Sequence, residues 1–298
     1  MSRKTKLSSD MNSHGKNCGG ATLTKKARQS TIRKFITFFM LRGFTHIVGV
    51  QHIGVKHVKM YIEMRRAENA KLRTMQNEMS HLRGILEDAG CFGVLNSPEL
   101  TSASLGLAGA SRAGTNEAMP LDEYERVRTL AFLQNRPGMA ALVALERFLG
   151  LRGNEAIHAR TDTLERWVCE LLAGGTVEVI AGTKGGRRRT VRAVDVQAAI
   201  RAVEEALAVA TRQGTYLVVR ANGRATGGLK QSRSIYHAWA IRAGFKPHAA
   251  RYAFARAQVD GYVAAGKSER EAFIATALDL GHGDGRGRFV RSVYCRRK

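Results

Sequence analysis

The sequence predicts a mainly helical protein with one small β-sheet, an α+β fold arranged in two domains. Its 298 residues suit about two domains of ~150 residues each, and an apolar share of 44% is enough to build cores. Apolar residues recur at helical spacing along most of the chain, and a single pair of segments alternates as strands do.

The strong positive charge indicates a polyanionic partner, with DNA, RNA and an anionic membrane as the candidates. The chain has 48 Lys and Arg against 25 Asp and Glu, a formal net charge of +23, and each phosphate that a basic side chain neutralises releases counterions. A membrane is a weaker candidate, because no run approaches ~18 apolar residues and the N-terminus lacks the apolar segment of a secretory signal. The four cysteines lie far apart, which indicates neither a zinc site nor a disulfide framework and favours a reduced, intracellular protein.

The N-terminal third is predicted to be an arm followed by helices. Residues 1–20 are polar and basic, which favours a mobile arm that either contacts DNA or is simply solvated. Residues 21–91 are predicted to be a helical domain, with later helices over His57–Ala67 and Leu72–Asp88. The first helix of this domain places four apolar side chains on one face: Ile32, Phe35, Ile36 and Phe39.

The helix over Leu72–Asp88 has an apolar stripe and a basic face. Methionine and leucine stripes at this spacing are typical of a core. The opposite face and its border supply three candidates for contact with DNA: Lys71, Arg73 and Arg83. Residues 92–118, rich in Gly, Ser, Ala and Thr, are predicted to be a linker.

Residues 119–298 are predicted to form the second domain. Helices are expected to begin at Pro120 and Pro137, where proline suits the first turn. The segments TVEVIAG and RRTVRAV alternate around TKGG and predict a β-hairpin. Four more helical stretches follow, of which DVQAAIRAVEEALAVA is the most clearly amphipathic.

Titratable side chains gather where these predicted elements end, which is where a scaffold presents functional groups. His248 and Arg251, which lie three residues apart, share one face of a predicted helix. The set comprises Arg152, Lys184, His248, Arg251, His282 and Tyr294. Taken singly, each has an ordinary structural explanation, such as a helix cap, a turn residue, a surface charge or a buried aromatic.

Taken together and in order, these segments resemble the tyrosine recombinases, or phage-type integrases. LGLRGNEA is similar to the family's first arginine box, GTKGGRRRTV to its lysine hairpin, HAARYAFA to its His-x-x-Arg box, and LGHGDGRGRFVRSVY to its final box. The resemblance covers 119–298, and 21–90 is less specifically similar to the family's helical core-binding domain. The chain departs from the pattern at Tyr252, where a second histidine is common, and in the twelve positions between His282 and Tyr294, a longer separation than usual.

The resemblance implies that Tyr294 attacks a DNA phosphate and forms a 3′-phosphotyrosyl intermediate. Arginines suit the developing charge on the phosphate oxygens, and the resemblance assigns this task to Arg152 and Arg251, with Glu155 holding Arg152. His248 and His282 would donate further hydrogen bonds, with His248 a candidate base. Lys184 would protonate the leaving 5′ oxygen. The triple arginine at 187–189 (Arg187, Arg188 and Arg189) is predicted to contact DNA phosphates.

The partners follow from the resemblance. They are double-stranded DNA with a specific recombination site and further copies of the chain. The resemblance implies a tetramer on two sites, in which each chain forms a C-shaped clamp. Accessory DNA-bending proteins stay open as additional partners. No cofactor and no metal is expected, since no carboxylate cluster of the kind that holds Mg²⁺ is seen, and a cytoplasmic, nucleoid-associated location is predicted. Two alternatives remain: a DNA-binding protein with altered catalysis on the same scaffold, and an enzyme like the type IB topoisomerases.

Overall fold

The computed structural model of the chain describes residues 3–109, 117–214, 216–283 and 285–295, without the side chains of residues 3–5 and 184. The chain divides into two compact units, Met1–Ser111 and Arg112–Lys298. Within the described residues the fold is mainly helical with one two-stranded sheet, as predicted. None of the helices in these ranges is long and apolar enough to cross a membrane.

The first unit is a helical bundle with its own core. Its aromatic centre includes Phe35 and Tyr61, whose ring centroids lie 5.0 Å apart. Two helices lie where the sequence predicts them, one of them with identical bounds. The helices are α1 (Arg3–Asn17), α2 (Thr22–Leu41), α3 (Val55–Ala67), α4 (Leu72–Asp88) and α5 (Phe92–Leu95).

The expected mobile arm is wrong, because most of residues 1–20 forms α1. Leu7 and Met11 lie four residues apart on one face of this helix and are fully buried. α1 packs against α2 and α4, and Arg28 of α2 donates a 2.6 Å hydrogen bond to the carbonyl of Gly15. Two apolar residues in a basic segment were enough to dock the helix, although composition alone favoured a solvated tail.

The predicted linker also begins too early. Leu100, Leu105 and Leu107 are buried in the core of the first unit. Arg83, one of the DNA-contact candidates, is half-buried and donates a 2.6 Å hydrogen bond to the carbonyl of Leu100. The small residues between these leucines obscure them in composition, yet the leucines cover the end of the bundle. Residues 110–116 of the predicted linker lie outside the described residues.

The second unit surrounds a central helix, α7 (Pro137–Phe148), that is buried along nearly its whole length. It packs against the helices α6 (Leu121–Leu133), α10 (Val196–Arg212) and α12 (His248–Ala264). The hairpin is antiparallel, with Val177 opposite Val191 and Val179 opposite Arg189. The elements are α6 (Leu121–Leu133), α7 (Pro137–Phe148), α8 (Gly153–His158), α9 (Thr161–Gly174), β1 (Thr176–Val179), β2 (Arg189–Arg192), α10 (Val196–Arg212), α11 (Leu229–Arg242), α12 (His248–Ala264), α13 (Glu269–Asp279) and α14 (Gly287–Val293).

Candidate active site

The turn before α8 presents Arg152 beside Glu155. Gly150 in this turn has φ +56°, and a Cβ there would lie 2.2 Å from Cδ1 of Phe254, so the close approach to α12 requires glycine. Glu155 accepts hydrogen bonds of 2.7 Å from the backbone nitrogen and from Nη1 of Arg152. These bonds orient an Arg152 side chain of which 22% is exposed.

Arg251, on the first turn of α12, lies beneath this turn and is fully buried. Its Nη1 donates to the carbonyl of Gly150, and its Nη2 donates to the carbonyl of Leu280 at 2.6 Å. Arg152 donates to the same Leu280 carbonyl through Nη2 at 3.1 Å. Both predicted arginines therefore converge on the backbone that leads into the final motif.

Tyr294, directly after α14, reaches this cluster from the other side. Its hydroxyl lies 3.1 Å from Nε2 of His282, and its ring packs on Tyr252 with the centroids 4.4 Å apart. The ring of His248 lies 6.2 Å from that of Tyr294, centroid to centroid. Tyr294 is only 3% exposed. The structure thus brings the predicted histidines and the predicted nucleophile together within one chain.

The electrostatics keep both histidines neutral near pH 7. Burial, followed by the charges of Arg251 and Arg152, lowers the pKa of His282 to about 3. His248 keeps an exposed edge, yet desolvation of its ring and the charges of Arg251 and Arg152 lower its pKa to about 4. A neutral imidazole beside the phenol can accept its proton.

The cluster has more positive than negative charge. Glu155 is fully buried, and it lies 2.7 Å from both Arg152 and Arg189 and 4.0 Å from Arg251. Burial alone would raise the pKa of Glu155, but the guanidinium of Arg189, its hydrogen bond and the charge of Arg251 lower it to about 2. Three arginines share this one carboxylate, which leaves net positive charge for an anion such as a phosphate.

The hairpin lysine is only partly described. The backbone of Lys184 begins a short 3₁₀ turn, Lys184–Gly186, at the tip of the hairpin, while its side chain lies outside the described residues. Just before this turn, the carbonyl of Gly182 accepts a 2.6 Å hydrogen bond from Nδ2 of Asn154. The hairpin tip is therefore attached to α8, two residues from Arg152.

The remaining DNA-contact candidates differ in exposure. Lys71 and Arg73 are exposed at the start of α4, and Arg187 and Arg188 are exposed between the hairpin tip and β2. Arg188 lies 3.8 Å from the carboxylate of Glu178, a surface pair. These four side chains are all accessible to a polyanion.

Arg189 corrects the prediction of a surface contact, because only 5% of its side chain is exposed. It donates to Glu155, to the carbonyl of Asp279 and to the carbonyl of Gly150. The strand pattern held a signal for this, since Arg189 shares the inward face of β2 with Val191. Asn154 was likewise missed, and nothing in its sequence surroundings indicated the contact with the hairpin.

Comparison with known proteins decides the family. The family model described as Integrase matches residues 106–257, more than half of the chain, and the model Phage integrase, N-terminal, matches residues 4–93. The chain is a tyrosine recombinase of the phage integrase family. The second match begins inside α1, in agreement with its place in the first unit.

Solved structures share the fold of this recombinase. A lambda integrase dimer bound to a COC′ core site is 15% identical with a TM-score of 0.61, and the match covers 95% of this chain and 76% of that one. The Tn1549 transposon integrase with transposon right end DNA is 11% identical with a TM-score of 0.62, covering 100% and 96%. A lambda integrase tetramer bound to a Holliday junction is 16% identical with a TM-score of 0.59, covering 93% and 77%. Among curated proteins no sequence matches the chain.

Proposed function

We propose that this site-specific recombinase cuts and rejoins DNA through a covalent bond between Tyr294 and a 3′ phosphate. The observation that carries the proposal is the hydroxyl of Tyr294 lying 3.1 Å from His282, in the same cluster as Arg152 and Arg251. A phenol ordinarily has a pKa near ~10, so a nucleophilic tyrosine needs both a proton acceptor and nearby positive charge. Both lie beside Tyr294.

In the first step the phenolic oxygen of Tyr294 forms a bond to phosphorus, and the bond from phosphorus to the 5′ oxygen breaks. The phenolic proton passes to a neutral imidazole; His282 is the nearer to the hydroxyl and His248 stays the second candidate. Lys184 gives a proton to the leaving 5′ oxygen. A 5′-hydroxyl of a second strand then attacks the phosphotyrosine and reverses the chemistry, so no external energy source is required.

The arginines stabilise the charge that develops on the non-bridging oxygens. Preorganised donors of this kind contribute about 3–4 kcal/mol each in well-studied enzymes. The side chain of Arg152 is 22% exposed, so a phosphate that enters the site contacts Arg152 before Arg251. Arg251 is fully buried behind it and supplies charge at short range.

We further propose that the first unit and residues 187–188 bind duplex DNA that carries a specific recombination site, and that the protein assembles as a tetramer on two such sites. The net charge of +23 supports a DNA partner. The similar fold of the lambda integrase tetramer with a Holliday junction supports the assembly, and that of the Tn1549 transposon integrase supports a role in a mobile element. A nucleoid-associated location and accessory DNA-bending proteins stay predictions.

The test uses DNA from the regions that flank the coding sequence. Bound fragments are selected, nicked near the cleaved bond to trap the intermediate, and incubated with the wild-type protein, Tyr294→Phe and Tyr216→Phe. We expect a covalent adduct that is lost only in Tyr294→Phe, because Tyr216 is exposed and remote in sequence from the site motifs.

Two other outcomes would replace the proposal. Specific binding without an adduct on any selected fragment would indicate a DNA-binding protein with altered catalysis. Relaxation of plasmids that lack the selected site would indicate an enzyme like the type IB topoisomerases.

A further inference from the structure

Arg189 joins three segments that the sequence keeps far apart. From β2 it donates a 2.7 Å hydrogen bond to Oε2 of Glu155 and a 3.3 Å bond to the carbonyl of Gly150. It also donates to the carbonyl of Asp279, at the end of α13. The arginine therefore ties the hairpin to the Arg152 turn and to the segment that leads to His282.

The backbone turn at Gly281 lies against the side chain of Arg189. Gly281 has φ +65°, and a Cβ built there would lie 2.5 Å from Cδ of Arg189. A larger residue would have to displace a buried arginine or the turn before His282. This close fit is what a fixed structural attachment requires, and it differs from the open surroundings of a side chain that reaches out to DNA.

A second attachment lies on the other side of the hairpin tip. Asn154 donates a 2.6 Å hydrogen bond to the carbonyl of Gly182, and its own Oδ1 accepts from Arg233. A Cβ at Gly182 would lie 2.6 Å from the carbonyl oxygen of Asn154, so this contact also requires glycine. The Lys184–Gly186 turn is thus bracketed by attachments at residues 182 and 189 to neighbouring residues of α8.

We propose that Arg189 and Asn154 are positioning residues that hold the hairpin, and with it Lys184, in register with the arginines that bind the phosphate. The inference rests on the proposed function, in which Lys184 protonates the leaving 5′ oxygen. It separates Arg189 from its neighbours Arg187 and Arg188, which are exposed and accessible to DNA.

The test asks whether these residues act through the lysine. Two oligonucleotides carry the same selected site, one with an ordinary phosphodiester at the cleaved position and one with a 5′-bridging sulfur. A thiol has a pKa near ~8.5, so a sulfur leaving group departs as thiolate without a general acid. Single-turnover adduct formation is measured for wild-type protein, Arg189→Lys, Asn154→Ala, Lys184→Ala and Arg152→Lys.

We expect Arg189→Lys and Asn154→Ala to slow cleavage of the ordinary substrate. Asn154→Ala should regain most of the wild-type rate on the sulfur substrate. Arg189→Lys should regain part of it, because Arg189 also bonds to Glu155 beside Arg152. The loss is bounded by the value of a general acid, about 10²–10⁴-fold, which we expect Lys184→Ala to show in full and to recover in the same way. Arg152→Lys should stay slow on both substrates, because its task is at the phosphate. Arg201→Lys, on the exposed face of α10, is the matched control for the effect of an arginine-to-lysine substitution outside the site.

Equal impairment of Arg189→Lys and Asn154→Ala on both substrates would overturn the proposal, and so would a wild-type rate on the ordinary one. If Arg189→Lys fails to fold, as a melting curve would show, Asn154→Ala alone decides, since it removes only the hydrogen bond to Gly182 at the hairpin and the bond from Arg233. Absence of any adduct with wild-type protein would instead overturn the proposed function and this inference with it.

Discussion

The Nε2 atom of His282 lies 3.1 Å from the phenolic oxygen of Tyr294, although twelve positions separate the two residues in the chain. The intervening residues include the glycines Gly283 and Gly285, both with positive φ, and the short helix α14. The additional residues between His282 and Tyr294 lie in this loop, and α14 places the tyrosine that follows it beside the histidine. The longer spacing is therefore compatible with a nucleophile placed beside the arginines of its own chain.

Replacement of His282 by asparagine should slow formation of the covalent adduct by about 10²–10⁴-fold, the range for loss of a general base. DNA binding should stay near the wild-type level, since the proposed task of His282 is to accept the proton of Tyr294. The measurement is single-turnover adduct formation at saturating DNA. His237→Asn, an exposed histidine on α11, is the matched control, and equal rates for the two variants would contradict the assignment.

Replacement of Glu155 by glutamine should destabilise the fold by about 3–5 kcal/mol, because it leaves buried arginines without their shared carboxylate. Urea unfolding measures the free energy. The control is Glu99→Gln, whose carboxylate is exposed and paired with Lys59 at 2.5 Å; surface pairs of this kind contribute little to stability. A loss at Glu155 no larger than that at Glu99 would show that the cluster does not depend on the carboxylate.

His248 and His282 should each contribute a loss of stability as the pH falls below about 6.5. The folded-state pKa values of His248 and His282 are about 4 and about 3, below the ordinary 6.5. Between these values the unfolded chain binds more protons than the folded chain, so acid favours unfolding. Below about 4.5 the carboxylate of Glu155, with its pKa lowered to about 2, acts in the same direction. Urea unfolding across this range measures the slope.

The double variant His248→Asn and His282→Asn should lose part of this slope between about pH 6.5 and 4. His237→Asn should keep it, because that histidine is exposed. A pH dependence that is unchanged in the double variant would mean that these two imidazoles do not carry the linkage.

Truncation of Leu7 to alanine should cost about 2–5 kcal/mol, the range for a buried leucine. Leu7 is fully buried on α1, whereas Leu23 on α2 is 71% exposed and serves as the control, Leu23→Ala. Limited proteolysis should also cut the Leu7 variant near its N-terminus faster than the wild type. Equal stability of the two variants would support the mobile arm that the composition suggested.

The double variant Arg187→Gln and Arg188→Gln should weaken DNA binding at all sequences and reduce the slope of log K against log salt. Each phosphate contact contributes about 0.9 to that slope in duplex DNA, so the expected reduction is up to about two. Binding titrations at several salt concentrations measure it. The same experiment on Lys71→Gln with Arg73→Gln tests the first unit, and an unchanged slope in either pair would remove those residues from the interface.

Local pattern was sufficient for much of the fold. The methionine and leucine stripe predicts α4, and the alternation around TKGG predicts the hairpin. In both cases neighbouring residues in sequence share one face of a regular element, so periodicity carries the information. α1 escaped prediction because two buried side chains are too few for a periodic signal.

By itself the sequence determined the helical architecture, the ordered motifs and the family to which they point, because these depend on residue types at short range. Only the tertiary structure decided that Arg189 is buried against Glu155 rather than exposed beside Arg188. It also decided that Tyr294 meets His282 across a long loop. Both outcomes depend on which distant segments share a small volume. Arg189 lies on the inward face of β2, whereas Arg188 precedes the strand and is exposed.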